Sequence, residues 1–72
     1  MLNNNIKQAR DKRGFTQQRL AKLTGIPQTT ISGWEKNIGE PSVIKAFTLS
    51  KVLETPVAIL FPDINEISIK KV

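Results

Sequence analysis

The sequence has no cysteine and no histidine. Without cysteine no disulfide can reinforce the fold. Without either residue the usual ligands of a structural zinc site are gone, and carboxylates alone rarely build one. A long apolar run is missing too: the longest, Pro56 to Pro62, is far too short to cross a bilayer. The opening residues Met1-Leu2-Asn3-Asn4-Asn5 offer neither the basic start nor the apolar stretch of a signal peptide. A cytoplasmic location with no membrane partner is therefore expected. Catalysis finds little to work with: there is no glycine-rich phosphate loop, and no serine or threonine stands beside a general base. No enzyme activity, metal or cofactor is expected.

What is present describes one small domain over residues 1–72. With 72 residues, a chain of this size buries only about 60% of the surface its unfolded form exposes, so its core is thin. Apolar residues make up 39% and charged residues 24% of the chain, an ordinary soluble-protein balance that argues against disorder. Stability must come from helix packing, with self-association into a homodimer as a further source. Eleven Lys and Arg against six Asp and Glu give a formal net charge of +5. That excess suits a polyanionic partner, although solubility alone would also account for it. Position adds information: Lys7, Arg10, Lys12, Arg13, Arg19 and Lys22 crowd the first third.

The pattern predicts helices. A first helix runs from about Asn4 to Arg13, with N-cap candidates in Asn3 to Asn5, helical spacing through Ile6, Ala9 and Arg13, and Gly14 just past its end. Thr16 caps a second helix, with Phe15 and Leu20 as a hydrophobic staple. Its apolar face is Leu20, Ala21 and Leu23, and Gly25 ends it. Ile26-Pro27 opens a third helix whose buried stripe is Ile31, Trp34 and Ile38. Gly39-Glu40-Pro41 breaks the chain. Ser42 caps a fourth helix from Val43 to about Glu54, with a broad apolar face of Val43, Ile44, Phe47, Leu49, Val52 and Leu53. Thr55-Pro56 starts a short helix through Phe61, which Pro62 stops. The tail, 63–72, alternates loosely through Ile67 and Ile69, as a short strand or a frayed end.

Between Gln17 and about Lys36 the requirements of a tight helix–turn–helix coincide. Two short helices that cross steeply need a small side chain at their contact, and Ala21 supplies it. The turn needs a residue tolerant of positive φ, and Gly25 supplies that. Ile26, Ile31 and Trp34 then bury the inner face of the second helix of the pair. Outward it leaves Gln28, Thr29, Ser32, Gly33 and Lys36, a polar stripe at helical spacing. Short polar side chains on a helix held clear of the body are what reading base edges in a major groove requires.

The runs Thr16-Gln17-Gln18-Arg19-Leu20-Ala21, Gly25-Ile26-Pro27-Gln28-Thr29-Thr30-Ile31-Ser32-Gly33-Trp34-Glu35 and Pro41-Ser42 resemble the Cro and CI (Xre-type) helix-turn-helix family of phage and bacterial regulators. The match runs from about Ile6 to Phe61, and the small size is similar to Cro-like and modulator-of-repression regulators of temperate phages. The resemblance implies an all-α, five-helix fold like the lambda repressor domain, and binding to double-stranded operator DNA, in the nucleoid of a host cell, through the third helix. Gln17 resembles the position that grips a phosphate or an outer base. Gln28 and Thr29 match base-reading positions, with Ser32 one turn on. Lys36, Asn37 and Lys45 occupy places suited to phosphate. Arg10 and Glu35 resemble an interior ion pair tying the first helix to the third.

Gly33 departs from the family pattern, because a long base-reading side chain is common there, and glycine costs the helix about 1 kcal/mol relative to alanine. Ser50, where the family has alanine, is a milder departure. Two functions follow. One is a Cro-like regulator acting as a small dimer on a pseudo-palindromic operator, which the net charge, Gln17, Gln28 and Thr29 favour. The other is a modulator that binds a cognate repressor protein through the helix-turn-helix face, with Gly33 as a dent flanked by Thr29, Thr30 and Lys36. Lys12, Arg13 and Arg19 stand equally as a solvated face or as contacts to DNA backbone; Lys70 and Lys71 read as a solvated tail.

Overall fold

Two hydroxyls fix two of the helix starts. Thr16 Oγ1 accepts the Arg19 backbone N–H at 3.0 Å and Ser42 Oγ accepts that of Lys45 at 3.2 Å, each satisfying a first-turn donor that the helix itself cannot. The computed structural model describes residues 3–63. The described chain runs α1 (Ile6–Lys12), α2 (Gln17–Thr24), α3 (Gln28–Glu35), α4 (Val43–Leu53) and α5 (Val57–Leu60). Among the described residues there is no strand, so the all-α expectation holds. The tail expectation falls on residues outside the described ones, apart from Asp63.

The first helix is shorter than its spacing predicts. Its side-chain cap comes from Asn4, whose Oδ1 accepts the Ile6 N–H at 3.2 Å. Asn5 is occupied elsewhere: its backbone N–H donates to the Leu60 carbonyl and its Nδ2 to the Ile59 carbonyl at 2.8 Å. Between α2 and α3, Gly25 takes φ +75° and donates its N–H to the Ala21 carbonyl, the left-handed stop expected of it. Pro27 stands at the start of α3 and Pro56 at the start of α5, where their missing N–H costs nothing.

The core gathers Ile6 and Ala9 from α1, Leu20 from α2, Ile31 and Trp34 from α3, Ala46, Leu49 and Leu53 from α4, with Ile26, Leu60 and Phe61 closing it. Several apolar expectations fail, each for a geometric reason. Leu23 lies on the flank of α2, because the inward face runs through Gln17, Leu20, Ala21 and Thr24; it is 43% exposed. Ile38 is exposed because the chain turns out of α3 at Asn37, which adopts φ +63°, and Ile38 N–H closes back onto the Gly33 carbonyl. Arg13, which the sequence left open as a solvated residue, is exposed and bridges to Glu54 at 2.8 Å; Arg10 joins Ile6 and Ala9 on the buried side of α1. On α4 the inward face is Ala46, Leu49 and Leu53, and Val43, Ile44 and Phe47 lie on the opposite side. The broad apolar face read from the sequence is thus two faces. No helix among the described residues is long and apolar enough to cross a membrane.

Candidate nucleic-acid interface

The first turn of α3 presents Gln28 and Thr29 to solvent, while Ile31 and Trp34 anchor the other side of the same helix. The two sets alternate because a helix returns to one side every three or four residues. Ser32 and Gly33 are half-buried, Lys36 is exposed just past the helix end, and Lys45 is exposed on the first turn of α4. Pro27 gives the start of α3 no side-chain cap, so its first-turn N–H groups have no capping side chain as a partner.

What holds α3 in place is a buried polar junction. Arg10 Nε donates to Glu35 Oε2 at 2.8 Å, and its Nη2 to Oε1 at 3.1 Å, a bidentate pair. Arg10 Nη1 donates to the Phe15 carbonyl at 2.8 Å. The two side chains are 11% and 5% exposed, so the pair is nearly enclosed. Gln17 joins it, its Nε2 donating to Glu35 Oε1 at 3.0 Å. One carboxylate therefore ties α1, α2 and α3 together. Burial by itself would push the Glu35 carboxyl up. The hydrogen bonds from Arg10 and Gln17, with the positive charges of Arg10 and Lys7, outweigh that and hold it below its ordinary value. The Glu35 hydrogen bond raises Arg10 against the opposing effect of burial, with the Glu35 and Asp11 charges adding to the rise.

The other anchor is Asn4. Its Nδ2 donates to the Trp34 carbonyl at 2.7 Å and to Asn37 Oδ1 at 3.3 Å, closing the C-terminal end of α3. Asn37, expected near phosphate, is half-buried and bound to Asn4. Gln28, Thr29, Ser32 and Gly33 thus share α3, Lys36 and Asn37 follow its end, Lys45 stands on α4, and Gln17 is drawn inward. Gly33 is half-buried, and a side-chain carbon there would make ordinary contact, at 3.5 Å, with the Ile38 carbonyl oxygen. Among the described residues no group of three or more His, Cys, Asp or Glu converges to hold a metal.

A family model described as helix-turn-helix matches residues 6–60. The chain belongs to the helix-turn-helix family. It is 41% identical over 59 residues to the HTH-type transcriptional regulator DicA of Escherichia coli K12, an alignment covering 81% of this chain and 44% of DicA. It is 42% identical over 53 residues to the antitoxin HipB of Escherichia coli O6:H1, covering 74% of this chain and 56% of HipB. The chain spans about half the length of these curated relatives. Among solved structures it resembles a chain of the SinR protein/SinI protein complex, with a TM-score of 0.73 and 30% identity over 81% of this chain and 57% of that one. The restriction-modification controller protein C.AhdI of Aeromonas hydrophila shares the fold at a TM-score of 0.73 and 24% identity, covering 79% of this chain and 86% of that one.

Within this helix-turn-helix frame, sequence reasoning placed the α2–turn–α3 unit and the Arg10–Glu35 pair. It missed the Gln17–Glu35 bond and the role of Asn4. Asn4 stood in a run of three asparagines that reads as capping residues, and nothing in that run points to a partner thirty residues on.

Proposed function

We propose that this chain is a DNA-binding transcriptional regulator that lays the first turn of α3 into a major groove. One observation carries the reading: Gln28 and Thr29 are exposed on the helix whose other side is locked by Ile31, Trp34 and the Arg10–Glu35–Gln17 junction. A rigid helix with short polar side chains at its exposed start suits direct readout. Gln28 pairs with adenine through its carboxamide, and the Thr29 methyl meets a thymine methyl. Ser32 follows one turn on, and Lys36 and Lys45 neutralise phosphates. Gln17 contributes through its backbone N–H at the start of α2, because its side-chain amide is engaged with Glu35. The family membership and the likeness to a transcriptional regulator support the reading. A non-enzymatic role in the cytoplasm, at the nucleoid, goes with it.

The repressor-modulator alternative is not favoured. The family membership and the likeness to a transcriptional regulator favour DNA; at Gly33 an added side-chain carbon would meet the Ile38 carbonyl at an ordinary contact distance.

The test is binding to the chain's own promoter region across a salt series. Each phosphate neutralised contributes a log–log slope near −0.9, so contacts to several phosphates make affinity fall steeply. Affinity that barely moves between low and physiological salt would remove the DNA reading.

A further inference from the structure

We infer that Asn4 is a positioning residue for DNA recognition, which sets the direction of α3 in the groove through bonds made away from the DNA. The inference rests on the DNA reading above. Asn4 is half-buried, and both polar atoms of its carboxamide are committed. Oδ1 accepts the Ile6 N–H at 3.2 Å and so caps α1. Nδ2 donates to the Trp34 carbonyl at 2.7 Å and to Asn37 Oδ1 at 3.3 Å. These two bonds serve α3: they hold its last turn and the left-handed residue, Asn37 at φ +63°, through which the chain leaves it.

The last turn of α3 is thus gripped twice, from opposite ends of α1. Arg10, in the last turn of α1, holds Glu35. Asn4, ahead of its first turn, holds Trp34. Two grips fix a direction, and one alone leaves a pivot. The buried Ile31 and Trp34 side chains do not replace a lost grip, because apolar burial is non-directional whereas a hydrogen bond prefers one alignment. The reading residues stand at the far end of this lever. A rise of about 1.5 Å per residue puts Gln28 about 9 Å from Trp34, so a tilt of about 10° moves it by about 1.5 Å. A recognition group has to be held within about 0.5 Å. Attraction to phosphates is independent of sequence, so the tilt removes discrimination between DNA sequences and leaves general affinity in place.

Substitution separates the cap from the clasp. Asn4→Ser and Asn4→Asp each keep an oxygen that accepts the Ile6 N–H. Both lose the bonds to α3, serine because it is too short and aspartate because it has no donor. Asn5→Ser is the control. The Asn5 Nδ2 bonds to the Ile59 carbonyl on α5, so this variant loses a side-chain bond between elements without touching α3.

Anisotropy titrations of the full chain compare its promoter region with random duplex of equal length. The ratio of the two affinities is expected to fall about tenfold in both Asn4 variants and to keep its wild-type value in Asn5→Ser. Affinity of Asn4→Ser for random duplex is expected to change by about twofold or less. Amide exchange of the free chain reads the clasp without DNA. The Asn37 and Ile38 N–H groups, bonded to the Trp34 and Gly33 carbonyls, are expected to exchange about tenfold faster in both Asn4 variants and at the wild-type rate in Asn5→Ser. An unchanged ratio or unchanged exchange in the Asn4 variants would overturn the inference and leave the DNA reading intact. So would an equal fall of the ratio in Asn5→Ser, or loss of helical circular dichroism in both Asn4 variants, since either would make Asn4 a stabilising contact only. A wild-type chain with no preference for the promoter region would remove the DNA reading itself, and the inference with it.

Discussion

Gln28 and Gln17 are the same residue type eleven positions apart, and their surroundings give them different chemistry. Gln28 is exposed at the start of α3, and its carboxamide bonds to none of the described residues. Gln17 is half-buried and donates to Glu35. Gln28→Ala is expected to cost about 1–3 kcal/mol on the specific site and much less on random DNA; anisotropy titrations on both substrates measure the difference. Equal losses on the two would mean that Gln28 does not read a base. Sequence pattern put Gln28 on the exposed side of α3 because exposure on a short helix follows from periodicity, once Ile31 and Trp34 fix the inward side. It could not separate Gln17 from a surface glutamine. That distinction depends on a carboxylate eighteen residues away, which meets it only after α2 and α3 have packed.

Among the elements, α1, α2 and α3 meet at the Arg10–Glu35 pair. Arg10→Leu leaves the Glu35 carboxylate enclosed without its partner, a loss that typically costs about 3–5 kcal/mol. Lys12→Ala, at an exposed position, changes stability by about 0.5 kcal/mol or less. Denaturant melts of the two variants are expected to differ accordingly, and equal midpoints would put Arg10 outside the core. The pair also sets an acid limit. The Glu35 carboxyl is held below its ordinary value of 4.5 in the folded chain, so the unfolded chain takes up that proton first. Its stabilisation is fully present above pH 4.5 and is lost as pH falls through the folded value. Melting temperature against pH is expected to fall more steeply below that point for the wild type than for Glu35→Gln; parallel curves would contradict it. Helix starts and stops were legible because Thr16, Gly25 and Ser42 act on their own neighbours. The two faces of α4 were not. Both are apolar, and which one turns inward is decided by packing against α2 and α5.

At the scale of the whole molecule, the asparagine run near the beginning fastens distant parts of the chain together. Asn4 holds the end of α3, Asn5 holds α5 through two hydrogen bonds, and the Asn3 backbone N–H reaches Asp63 Oδ2 at 3.3 Å. The fold class was readable from helical periodicity, but this closure was not, because it joins residues about sixty positions apart through contacts that leave no periodic trace. Its consequence is one of attachment. The two ends of the described segment, Asn3 and Asp63, lie together beside α5, at the far end of α3 from Gln28 and Thr29. A label at position 3 and one at position 63 would therefore report from a single spot on the molecule, each of them remote from Gln28 and Thr29.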